Sequence, residues 1–100
     1  MAKKLSENQA LLEKIRLHYV DKLGREVGAM AAYARDLGID SRYVSWWKRN
    51  DRAIPATYAE ATEAATGGLV TAVDVVVNEI RDRKERKEAK RARWLAGRKG

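Results

Sequence analysis

Two short apolar-periodic runs meet at a single glycine near the middle of the chain, and this junction limits the fold more than any other feature. Ala34, Gly38, Val44 and Trp47 are spaced by four, six and three residues. Leu37 and Ile39 flank the glycine. Each position has a mechanical job if both runs are helices. Ala34 is small where the helices cross. Gly38 supplies the positive φ of a tight turn. Leu37, Ile39, Val44 and Trp47 bury side chains that fix the angle between the helices. Asp40 offers an N-cap carboxylate for a helix over about 41–49, and Asn50 can end it. The preceding helix covers about 29–36, with Ala31, Ala34 and Leu37 as a shallow apolar face. The pair reads as a helix-turn-helix.

The flanking segments extend the helical pattern. Ser6-Glu7-Asn8-Gln9 has the form of a capping box. Leu12, Ile15, Tyr19 and Leu23 then make one helical face, with Leu11 and Val20 beside them. Gly24 is placed to close that helix. Pro55 suits the first turn of a fourth helix over about 55–66, because its missing N–H costs nothing there. Gly67-Gly68 ends it. Thr71 and Asp74 repeat the start signal. Val73, Val76, Val77 and Ile80 follow at i, i+3, i+4 and i+7, a helical stripe. The β-branched run Val75-Val76-Val77 also suits a strand, and the period favours a helix. Beyond Ile80 the stripe disappears. Pairs such as Asp82–Arg86 can continue the helix, but without a core to pack on. The expected fold is all-α, a four-helix unit around the helix-turn-helix with a fifth helix and a basic end. Its division is a helix-turn-helix domain over 1–80, with an oligomerisation helix from about 69, and a basic extension over 81–100.

Counting excludes several functions. With 100 residues and no cysteine the chain is one domain with neither disulfide nor thiolate metal site. The single histidine, His18, would have to serve any Ser-His-Asp triad or His-ligated metal, and no isolated pair of acids stands out. Neither an enzyme nor a cofactor is expected. The N-terminal MAKKLSENQ lacks the apolar stretch of a signal peptide. No apolar run approaches the roughly 20 residues of a transmembrane helix. A cytoplasmic protein without a membrane partner is the expectation. Residues 1–80 hold 11 basic and 11 acidic residues, whereas 81–100 hold 10 and 3. The whole net charge of +7 therefore sits in the last fifth of the chain. Such an arm suits a polyanion, and it also fits a solvated tail.

With Val44 and Trp47 turned inward, Ser41, Arg42, Ser45, Trp46 and Arg49 form one continuous outward face. Arginine can bond guanine O6 and N7 bidentately, and serine can join several base contacts. These five are the candidate base readers on double-stranded DNA. Trp46 fits either the groove, against thymine methyls or sugars, or a subunit interface. Lys48 and Arg52, at the far end, are placed for phosphates. Tyr33 and Tyr43 each suit a phosphate hydroxyl contact or simple packing. The stripe Val73, Val76, Val77 and Ile80 needs a partner, either a second copy of the chain or its own first helix. A host protein such as RNA polymerase, anchored by Trp46, is the competing partner. RNA on the arginine-rich end is a third.

The segment LGIDSRYVSWWKRN, then RAIP, then EAATGG-x-VT, resembles phage and prophage helix-turn-helix regulators, namely the Cro-like regulators of the YdaS antitoxin group. The similarity covers about residues 29–71. The chain is also similar to CII-type activators in length, in a first helix of the ALL-x-KI kind from Ala10 to Ile15, and in a W-K-R…I-P passage followed by an oligomerisation helix. The resemblance implies a lambda-repressor/Cro-like fold. It further implies sequence-specific DNA binding by the third helix, as a homodimer or higher oligomer, and a role in transcriptional regulation.

Overall fold

The computed structural model describes residues 5–97. Every regular element among the described residues is a helix. Five α-helices follow in order: α1 (Glu7–Leu23), α2 (Ala29–Leu37), α3 (Ser41–Arg49), α4 (Ala59–Ala65) and α5 (Ala72–Gly97). Among the described residues no helix is long and apolar enough to cross a membrane. Arg98, Lys99 and Gly100 of the expected basic extension lie outside the described residues.

Local signals set the boundaries. The Ser6 hydroxyl accepts from the Gln9 N–H at 3.1 Å, and the Gln9 side chain accepts from the Ser6 N–H at 3.2 Å, a complete capping box. Gly38 adopts φ +75°, and the Ile39 N–H returns to the Ala34 carbonyl at 3.0 Å. That six-to-one closure is a Schellman turn, which needs the left-handed residue that glycine supplies. Asp40 caps α3 through the Arg42 N–H at 2.8 Å. Thr71 and Asp74 cap α5 reciprocally. The helix expected to start at Pro55 starts later. Residues 56–58 form a 3₁₀ turn, with the Ala56 N–H held by the Glu79 carboxylate at 2.7 Å, and α4 begins at Ala59. A carboxylate from α5 thus serves as the cap that the local sequence does not provide.

Helix α2 sits in the middle, packed against α1, α3 and α4, while α5 lies along α4. The core joins Leu12, Ile15 and Tyr19 of α1, Ala29, Tyr33 and Ala34 of α2, Val44 and Trp47 of α3, and Ile54, Ala59, Val70 and Val75. Leu23 and Ala31, expected on inner faces, are exposed. The Tyr33 and Thr62 hydroxyls, both fully buried, share a hydrogen bond of 2.8 Å. Tyr19 donates to Asp36 at 2.5 Å, so both buried phenols are paired. Trp47 tilts against Tyr58 with centroids 5.7 Å apart.

The two halves of α5 pack differently. Val75 is the inward apolar residue, completely buried, and Asn78 follows it inward. Val73, Val76, Val77 and Ile80 point the other way and are exposed. Helix α5 passes position 80 without a break. Contrary to the sequence expectation, it finds something to pack on there, and that contact is polar. The Asp82 carboxylate accepts from Asn8 Nδ2 at 3.0 Å, from the Ala53 N–H at 3.4 Å and from Arg86 Nε at 3.0 Å. Asn8 also donates to the Asp51 carbonyl at 2.9 Å and accepts from Asn78 Nδ2 at 2.8 Å. Arg86 Nη2 donates to the same Asp51 carbonyl at 2.9 Å. Asp51 itself is held at φ +52° and accepts from the Ser6 hydroxyl at 2.6 Å. Past this patch α5 projects. The radius of gyration is 15.6 Å, against roughly 13 Å for a compact chain of this length.

Burial pushes the Asp82 carboxyl up, but its bonds from Asn8, Arg86 and Ala53 outweigh that and hold it below the usual carboxylate range. A lowered folded-state value means stability that is present above the unfolded value and lost as pH falls below it. Asp82→Ala is expected to cost about 1–3 kcal/mol in urea unfolding, since it strands the Ala53 N–H and one N–H of the Asn8 amide, whose bond to the Asp51 carbonyl remains. It should also accelerate amide exchange in α5 beyond residue 80. The parent should lose the ionisation-dependent part of that contribution as pH falls from about 4 through the lowered folded value. An unchanged unfolding midpoint in the variant would show that the patch does not hold α5.

Candidate nucleic-acid interface

Helix α3 is short and strongly two-sided because of where its large residues fall. Val44 and Trp47, three apart, are buried to 1% and 5% exposure. On the opposite face Ser41, Arg42, Ser45, Trp46 and Arg49 are all exposed. The structure therefore brings the five expected base readers together on one open helix surface. Arg42, Tyr43, Trp46 and Arg49 line one shallow cleft beside Trp47. Lys48 lies on the other flank, in a cleft with Leu5, Gln9, Leu12, Glu13, Arg16 and Met30. Tyr43 and Lys48 thus border the face on two sides.

Two of these residues are held by specific contacts. Arg42 pairs with Asp40, Nε to Oδ1 at 3.2 Å and Nη2 to Oδ2 at 3.2 Å. The Arg42 backbone N–H and guanidinium hold the Asp40 carboxyl below its ordinary range, and Asp40 in turn raises the Arg42 guanidinium. Arg52 stacks over the Trp46 ring with its guanidinium carbon 5.1 Å from the centroid. A cation over an indole face is attracted by the ring quadrupole, so Trp46 and Arg52 act as one aromatic-basic unit. Sequence reasoning placed these two in separate roles, groove and phosphate, and missed that they touch. It also missed Asp40 as a partner of Arg42, for which the D-x-R spacing was the available signal.

The face does not stop at α3. Trp46, Trp47, Arg52 and Pro55 share a cleft with Glu79, Asp82, Arg83 and Arg86 of α5. Arg83 pairs with Glu79 at 3.1 Å and Arg86 with Asp82 at 3.0 Å. The basic half of α5 is thereby set beside the rear of the α3 face. No linear signal announces that apposition, because it depends on the Asp82 patch.

One expected contact is corrected. Tyr33 is 0% exposed, and its hydroxyl is committed to Thr62 in the core. It cannot touch a phosphate. The inner face of α2 is Ala29, Tyr33 and Ala34, which turns Tyr33 against Tyr19 with centroids 5.9 Å apart. Tyr43, by contrast, is 61% exposed and remains available.

A family model described as Bacterial toxin YdaS matches residues 20–76, from the last turn of α1 into the start of α5. This is the first of the two families that the sequence resembles, and it is a family of toxins rather than antitoxins by description. The similarity to CII-type activators has no counterpart in it. No curated protein and no solved structure matches.

Burial pushes the Tyr33 phenol up to about 12, against an opposing pull from the Thr62 bond. A raised value means that the fold favours the neutral phenol. The stabilisation is complete below about pH 10 and is lost as pH climbs from there toward 12. Tyr33→Phe is expected to lower stability by about 1 kcal/mol at neutral pH by leaving Thr62 unpaired. It should also flatten part of the alkaline loss in a pH series of urea unfolding curves. A Tyr33 with its role on a phosphate would leave stability unmoved.

Proposed function

The chain belongs to the YdaS family, and we propose that it is a sequence-specific double-stranded DNA-binding regulator of prophage type, with α3 in the major groove. The observation that carries this reading is the outward face of α3. It presents two exposed arginines and two exposed serines beside the stacked Trp46–Arg52 unit, of which Arg52 is half-buried. An exposed helix face of this kind has the donors that a major groove accepts.

Each residue has a role in that mechanism. Arg42 and Arg49 present guanidinium donors to base edges, and Ser41 and Ser45 add small hydroxyls that allow close approach. Trp46 lies against thymine methyls or sugars. Tyr43, Lys48 and Arg52 bond phosphates and set the register, which carries no sequence information by itself. The basic half of α5 adds sequence-independent affinity, which weakens as salt rises. The reading requires no cofactor and no catalytic step, and it places the protein in the cytoplasm with the DNA it regulates.

Replacing Arg42 with Ala is expected to cost about 1–3 kcal/mol for the preferred site and to relax preference at one base pair. The site is first selected from randomised duplexes and then titrated in gel shifts against parent and variant. Equal losses on selected and random DNA would remove Arg42 from base reading.

The regulator acts as a homodimer or higher oligomer. One helix reads too few base pairs to choose a site, and paired helices read two half-sites about one turn apart, roughly 34 Å. Val73, Val76, Val77 and Ile80 are exposed at 69%, 36%, 53% and 62%. They form one contiguous apolar surface on α5, away from its own core residue Val75. Val76→Asp should leave the fold intact and shift the mass in solution from dimer to monomer. A parent protein that is monomeric at tens of micromolar (roughly the range of a weak dimer) contradicts this.

The exposed aromatics of α3 favour one second reading. Tyr43 and Trp46 are 61% and 42% exposed, and aromatic anchors suit protein interfaces. A host protein such as RNA polymerase, bound through Trp46, is the partner in that case. Trp46→Ala would then abolish capture of the polymerase while leaving gel shifts unchanged.

A further inference from the structure

We propose that Asp40 is a specificity-determining positioning residue, which holds Arg42 end-on toward a guanine. The inference rests on the DNA-binding reading above and deepens it by naming the base and the device that selects it.

The argument starts from which edge of the guanidinium Asp40 occupies. The carboxylate engages Nε and Nη2, the side of the group, with 3.2 Å on each arm. Its Oδ1 also accepts the Arg42 backbone N–H at 2.8 Å. That third bond ties the carboxylate to the first turn of α3. Asp40 is therefore not a loose counter-ion, because its position is set by its work as the helix cap. The side-on pair leaves the other edge of the guanidinium, Nη1 with the second Nη2 hydrogen, facing away from the protein. Two parallel N–H donors on one edge are the fork that matches guanine O6 and N7. Adenine offers a donor where guanine offers O6, so the same fork rejects it.

The arrangement also answers an electrostatic difficulty. Asp40 is an exposed acid on the surface that would meet DNA. Phosphates repel it, so by charge alone the interface would bind more tightly without it. Capping α3 does not require the charge, since asparagine or serine caps as well, whereas fixing Arg42 through a two-armed ion pair does. The arginine side chain is 89% exposed and makes no other ion pair among the described residues. Without Asp40 its long stem would sample many rotamers, and ordering it on binding would consume part of the contact's energy. With Asp40 the fork is presented already oriented.

Charge and positioning predict opposite signs, which makes the test decisive. Asp40→Asn and Asp40→Ser keep a good N-cap and lose the ion pair. Both are compared with the parent on the duplex that the parent selects from a random library, on that duplex with each guanine replaced in turn by 7-deazaguanine, and on random duplex. The expected result has three parts. One 7-deazaguanine position weakens the parent. The preference for that guanine falls by about five- to tenfold in both variants, a fraction of the discrimination a bidentate pair supplies. Affinity for random duplex rises in both, because a negative charge has gone. In an Arg42→Lys background, Asp40→Asn should leave base preference unchanged, since lysine has no second edge to orient. Variants that keep the full guanine preference, or that tighten on all duplexes alike, overturn the positioning role and leave the DNA-binding reading standing. A parent that selects no sequence at all overturns the DNA-binding reading, and this inference with it.

Discussion

The carboxylate of Asp82 ties together, by directional bonds, three segments that also share the apolar core through Leu12, Ile54 and Val75. One oxygen receives Asn8 from the first turn of α1, and the other receives the Ala53 N–H and Arg86. The segments so joined are the start of α1, the loop after α3, and α5 where its apolar contact with the core has already ended at Val75 and Asn78. Hydrophobic burial is non-directional and would let a helix roll on its partner. Hydrogen bonds to a fixed carboxylate do not. Removing the charge from water is costly, and the site compensates with donors from three different parts of the chain. Asp82 shares the anchoring of the projecting half of α5 with Asn78 on Asn8, Glu79 on the Ala56 N–H and Arg86 on the Asp51 carbonyl.

The same patch sorts the charges of α5. Its acids at Glu79 and Asp82 turn inward, where their side chains are 15% and 13% exposed. Glu79 caps the 3₁₀ turn and Asp82 holds the patch, so both serve the fold. In the following turns Arg83, Lys84, Lys87 and Lys90 are exposed together with Glu85 and Glu88, while Arg86 belongs to the patch. A chain whose first 80 residues are electrically balanced thus carries its excess charge on the projecting end of α5, with the paired Arg83 and Arg86 beside Trp46 and Arg52.

What the sequence disclosed, and what it hid, divides along local and tertiary lines. The caps at Ser6, Asp40 and Thr71 and the turn at Gly38 are local, and they stand where the spacing put them. The α3 face was legible because Val44 and Trp47 are large enough to fix which way a nine-residue helix must turn. Tyr33 was ambiguous because a tyrosine suits a core or a surface equally. Its partner Thr62 lies 29 residues away and is not visible in the local pattern. The α5 stripe gave a true helical period but no direction. Periodicity marks an apolar face without saying what that face meets. Here the core takes only Val75 from the run, because Asn78 fills the next inward position with a hydrogen bond to Asn8. Polar residues that satisfy each other across 70 positions leave no periodic trace.

Placing the outward stripe and the Asp82 patch on one helix has a mechanical consequence for the proposed pair. The two α3 helices must sit about 34 Å apart, so each lies roughly 17 Å from the two-fold axis. At that radius a rotation of about 10° moves α3 by about 3 Å along the groove, nearly one base-pair step. A protomer whose α5 could roll by that amount would read the neighbouring base pair almost as well as the intended one. Specificity in a dimer of this kind therefore depends on how rigidly α5 is joined to the reading head. An apolar seam alone, built on Val75, gives adhesion without fixing that angle. The directional bonds of Asp82 to Asn8 and Ala53, with that of Arg86 to the Asp51 carbonyl, supply the missing constraint. Side-chain register within α3 is a separate requirement, met at the Asp40 cap. The fold thus uses two carboxylates at two scales: Asp82 helps to set the angle of α5, the helix of the proposed pair, and Asp40 the direction of a single guanidinium.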